Sequence, residues 1–158
     1  MNKSEILADR LEEVIYDSPW YGQNINDILS KINATQALIR INNQHSIAEI
    51  LQHMTVWKRF AYQKTFGDKE FDIRATDETD WKIIESLSEG EWGTIILEFM
   101  SITGELIQAL GQLSAASYDK KVPGRDYTYD HMLFGIVDHD IYHIGQIALL
   151  SKLVTDEI

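Results

Sequence analysis

Apolar residues recur every three or four positions through four long segments of this chain, and only two prolines interrupt it. At about 100° per residue that spacing lines the apolar side chains along one face of an α helix, and a helix with one apolar face must bury it against others. The pattern therefore predicts an all-α domain. The first helix starts from Ser4 as N-cap, runs through Ile6, Leu7, Leu11, Val14 and Ile15, and stops before Ser18-Pro19. A short extra helix is expected at about Ile25 to Ile32, because an unstructured loop from Trp20 to Gln44 would be unusually long.

Ser46, with Glu49 three residues on, forms a capping box for the second long helix, which carries Ile47, Ile50, Leu51, Met54, Trp57 and Ala61 and ends at Gly67. A polar connection from Gly67 to Glu78 follows. The series Trp81, Ile84, Leu87, Ile95, Leu97, Phe99, Ile102, Leu106 and Leu110 predicts a third helix, kinked or divided at Gly90 and Gly93. After a turn at Val122-Pro123-Gly124-Arg125, the fourth runs from about Thr128 to Val154. Four long amphipathic helices predict a four-helix bundle occupying residues 1–158 as one domain.

At 158 residues a single core is sufficient without staples, so a metal would be functional rather than structural. The absence of cysteine removes disulfides, thiolate zinc sites and a cysteine nucleophile. With 14 basic against 25 acidic residues, the net charge of −11 argues against nucleic acid and against an anionic membrane surface. Ile144 to Val154 is broken by polar residues well short of the roughly 20 that a membrane span needs, and the N-terminus lacks a secretory signal. A cytoplasmic protein is expected.

The chemical signal lies in the histidines. His139 and His143 stand four apart, on adjacent turns of one face of the last helix, at the flank of its apolar arc. Neutral imidazole is the commonest protein metal ligand, and such a pair offers two lone pairs to one ion. His53, on a similar flank of the second long helix, is the expected third ligand, and three imidazoles leave open positions for water or substrate. The alternative is three histidines satisfied by ordinary hydrogen bonds. Asp140 projects near the centre of the apolar arc and needs a partner: it, or Asp138, either orients a ligating imidazole or pairs with a cation such as Lys58. Gln146 either reaches the site or makes an interhelical hydrogen bond. His45 and His131, at helix starts, read as solvated, and the aromatic residues as core or interface.

The string Phe134-Gly135-Ile136-Val137-Asp138-His139-Asp140-Ile141-Tyr142-His143-Ile144-Gly145-Gln146-Ile147-Ala148 resembles the last helix of the DinB-like (DinB/YfiT-type) metalloenzyme family. His45-Ser46-Ile47-Ala48-Glu49-Ile50-Leu51-Gln52-His53, followed by Trp57, is similar to that family's second helix. The resemblance implies a bundle of up-down-down-up connectivity and a divalent metal, nickel or zinc, on His53, His139 and His143. The crossover this topology needs is within the reach of the polar connection. It further implies a transferase that uses a low-molecular-weight thiol such as bacillithiol or mycothiol on an electrophilic small molecule, and it implies a homodimer. Metal-dependent hydrolysis and a non-catalytic metal-binding or sensor bundle are the alternatives.

Overall fold

The computed structural model describes residues 1–75 and 77–156; Thr76 of the connection and the last two residues of the expected 1–158 domain lie outside the described residues. Among the described residues there are six α helices: α1 (Lys3–Ile15), α2 (Ile25–Leu29), α3 (Ala34–Leu38), α4 (Ile47–Phe66), α5 (Glu89–Leu110) and α6 (Tyr129–Asp156). No strand occurs among the described residues, and a single bridge joins Lys121 to Thr128 just before α6. The all-α bundle expected from the spacing is the architecture found.

The four long helices close a ring in which α4 packs on α5 and α6, and α1 on the same two. Lys3 pairs with Asp130 at 2.7 Å and Arg10 with Asp138 at 3.6 Å, so the starts of α1 and α6 lie together. Tyr129 Oη donates to the carbonyl of Lys64, joining the start of α6 to the end of α4. Leu7, Leu11, Phe60, Leu106, Leu110, Leu133 and Val137 fill one half of the core, and Ile47, Leu51, Met54, Phe99, Ile144 and Ile147 the other.

Three boundaries differ from the sequence expectation, each for a local reason. Asn2, not Ser4, caps α1: its side chain accepts from Glu5 N at 3.0 Å while Glu5 answers to the Asn2 N–H, and Ser4 is buried with its hydroxyl 2.8 Å from Tyr118 Oη. The single short helix expected at Ile25 to Ile32 is two, α2 and α3, each started by an asparagine cap, Asn24 and Asn33.

The third difference matters most for function. The helix expected from Trp81 begins only at Glu89, because Ser88 and Glu91 form a reciprocal capping box worth about 1 kcal/mol. Gly90 and Gly93 therefore fall in the first turns of α5 and divide nothing. Residues 67–88 form a connection that returns along α4 until the Ile84 N–H donates to Glu49, near the start of that helix, at 3.0 Å. The i, i+3 spacing of Trp81, Ile84 and Leu87 reflects a strap laid on the bundle, where all three pack against the core.

By length and composition α5 is apolar enough to cross a membrane, unlike the segment Ile144 to Val154, and a third of its most apolar window is buried inside the bundle. Trp92, Phe99, Ile102, Leu106 and Leu110 account for the buried side.

Candidate metal centre

Two helices and the strap build the site. The Ser46 cap sets the start of α4, and His53 follows almost two turns later on the side facing α6. The helical repeat of α6 places His139 and His143 on adjacent turns of one face. Ring centroids lie 5.0 Å apart for His53 and His139, 4.8 Å for His53 and His143, and 4.4 Å for His139 and His143. One nitrogen of each ring falls within 4.8 Å of the other two, and His53 Nε2 and His139 Nε2 face each other at 3.0 Å. Tetrahedral ligation at metal–nitrogen bonds of roughly 2.05 Å separates ligand atoms by about 3.3 Å, close to that observed distance.

Two of the three remaining ring nitrogens are held in ways that decide the tautomers. His53 Nδ1–H donates to Asp80, whose backbone carbonyl lies at 3.0 Å and whose Oδ1 lies at 2.9 Å. The same carboxylate oxygen accepts from Trp57 Nε1 at 2.7 Å. His143 Nδ1–H donates to Gln146 Oε1 at 2.7 Å. Both arrangements leave Nε2 with a free lone pair directed toward the cluster, the preparation that a metal-ligating histidine receives from its neighbours. His139 Nδ1 is buried with no hydrogen-bond partner.

Electrostatics favour neutral rings. Burial, followed by the nearby His143, His53 and Lys58, pushes His139 down to about 3. His53 and His143 are also lowered, burial outweighing the opposing contacts with Asp80 and Gln146. All three rings are therefore neutral at neutral pH.

Of the two readings of Asp140, the structure displays the ion pair. Asp140 and Lys58 are both fully buried, with Lys58 Nζ 2.8 Å from Asp140 Oδ2. Lys58 also donates to Thr103 Oγ1 at 2.7 Å and stands 3.8 Å from the centre of the Phe99 ring. Asp140 hydrogen-bonds no imidazole among the described contacts. Asp138 faces outward to Arg10.

Residues from the strap complete the site, and the sequence reading missed them. Trp81 is sandwiched between His53 and His45, with ring centroids 3.8 Å away on both sides and planes within 7° and 10°. His45 is thus part of the wall rather than a freely solvated ring, whereas His131 stays apart, beside Tyr127. Glu49 fastens the strap, accepting from Arg40 and from the N–H groups of Ser46 and Ile84. Burial raises its carboxyl, but these hydrogen bonds prevail and hold it at about 2. Arg40 reaches Glu49 across a turn in which Asn42 and Asn43 both adopt the left-handed conformation that asparagine tolerates. An acidic residue next to tryptophan in an otherwise polar connection, Asp80-Trp81, was the available clue.

A cavity of about 630 Å³ opens beside the three histidines, walled by Ile50, Trp57, Trp81, Tyr142, Leu149 and Leu150. Its size is that of a small-molecule site. Residues 20–147 match the family model described as the DinB superfamily.

The chain belongs to the DinB superfamily.

No curated protein and no solved structure matches it. The DinB match covers α4, the strap and α6 as far as Ile147, so the three histidines, Asp80, Trp81 and Gln146 lie inside the shared region and Leu149 and Leu150 beyond it.

Proposed function

We propose that this protein is a divalent-metal-dependent enzyme, an S-transferase that joins a low-molecular-weight thiol to an electrophilic small molecule. The observation that carries the metal reading is the convergence of His53, His139 and His143, neutral and with two tautomers set from outside the cluster. Nickel and zinc both suit three imidazole donors. The transferase chemistry is suggested by the family resemblance.

His53, His139 and His143 would hold the divalent ion, which when bound would supply Lewis acidity that lowers the pKa of a thiol beside it. The chain's own part is positional. Asp80 and Gln146 keep protons on the Nδ1 atoms of His53 and His143, so each ring turns Nε2 inward. The apolar walls hold the electrophile and exclude water from around it. Sulfur bonds to the electrophilic carbon, the leaving group departs with its electron pair, and the thiol proton passes to solvent.

The test is a transfer assay with metal-loaded protein, an alkylating electrophile, and small thiols supplied singly. Product formation that requires both metal and thiol supports the reading. Turnover of ester or amide substrates without thiol would instead favour metal-assisted hydrolysis. Metal binding with neither activity would leave a non-catalytic bundle.

A further inference from the structure

The cavity is unusual in what its wall omits. Among the described residues that line it there is no lysine and no arginine, and its one carboxylate, Asp80, is already engaged by Trp57 and His53. Of the cations next to lining residues in the chain, Lys58 pairs with Asp140, Arg74 sits 3.5 Å from Asp72, and Lys82 lines a separate groove with Glu85 and Glu98. His45, at the mouth, lies flat against Trp81.

What the wall does offer is flat and apolar. Tyr142 presents aromatic surface, and Leu149 and Leu150 aliphatic surface, while both faces of Trp81 are covered by His45 and His53. Tyr142 and Leu149 are 65% and 61% exposed, so two large apolar side chains stand uncovered on the rim. Aromatic groups gain both area burial and ring contacts on such a wall, whereas a carboxylate or phosphate would lose water there and find no cation to replace it.

We infer that the cavity selects an uncharged ligand bearing an aromatic or bulky apolar group, and discriminates against ligands that carry a carboxylate or phosphate on that group. The inference rests on the small-molecule reading of the site, and it names the substrate class. The rim's exposed Tyr142 and Leu149 then serve as the face on which the apolar group lies. Specificity away from the three histidines comes from omission: an anion carried on the apolar group meets no side-chain cation on the wall.

The test compares benzyl alcohol with benzoate on the full-length, metal-free chain at about pH 8, above the ordinary imidazole range. Binding is followed by NMR on the indole N–H signal of Trp81, assigned through its loss in Trp81→Phe. The expected result is that benzyl alcohol shifts that signal with an affinity about tenfold or more above that of benzoate. Leu149→Arg, a change at an exposed position, should reverse the preference by placing a cation on the rim.

Benzoate binding as tightly as the alcohol in the wild type, or neither probe binding because a second copy of the chain covers the mouth, would overturn the inference. Zinc content after loading is measured on the same preparation. A protein that selects benzyl alcohol but holds no zinc would refute the proposed metal enzyme and leave this inference standing, and the converse result would refute only the inference.

Discussion

Trp81 lies flat on His53, ring centroids 3.8 Å apart, and the residue before it, Asp80, holds the same imidazole through Nδ1. Two adjacent residues of a non-helical strap thus fix both the plane and the tautomer of one proposed ligand.

Asp80→Ala should weaken metal binding while leaving the helices intact. Loss of such an outer partner commonly reduces affinity by about 10–100-fold, and the backbone carbonyl that remains at 3.0 Å places this case near the lower end. Competition against a chromophoric chelator measures it. Unchanged affinity would remove Asp80 from the site.

The buried Lys58–Asp140 pair predicts an asymmetric pair of stability effects. Asp140→Leu alone strands a buried ammonium and should cost about 3–5 kcal/mol, whereas Asp140→Leu combined with Lys58→Met should recover most of that loss. Urea denaturation of the single and double variants reads the difference. Equal losses in both would show that the pair acts through packing alone.

Glu49 predicts part of the acid sensitivity. Its folded pKa of about 2 lies below the ordinary value of about 4.3–4.5, so its contribution is complete above that range and is lost as pH falls through it toward 2. The difference corresponds to about 3 kcal/mol. Glu49→Gln should be less stable than the wild type at pH 6 and should lose less on moving to pH 3. Parallel acid limbs in the two proteins would contradict the assignment.

How much of this was legible in the sequence depends on whether a residue sits on a periodic helix. His139 and His143 declare their shared face through spacing four, and the capping box at Ser46 sets the register that brings His53 to them. Lys58 was recognisable as a partner for Asp140 because a carboxylate inside an apolar arc requires one. Asp80 and Trp81 were not legible, since the strap bearing them has no repeat. Its apolar residues imitate helical spacing, and only the Ser88–Glu91 box marks where α5 begins. The split of α2 from α3 was hidden for a similar reason, five-residue helices being too short to establish a period.

The most direct test of the account is elemental analysis of untagged protein purified without added metal, beside His53→Ala and His143→Ala, with circular dichroism on all three. The account predicts one divalent ion per chain in the wild type, its loss from both variants, and helical content largely preserved. Full retention by His143→Ala, or a wild type that carries no ion and takes up neither zinc nor nickel on titration, would contradict it.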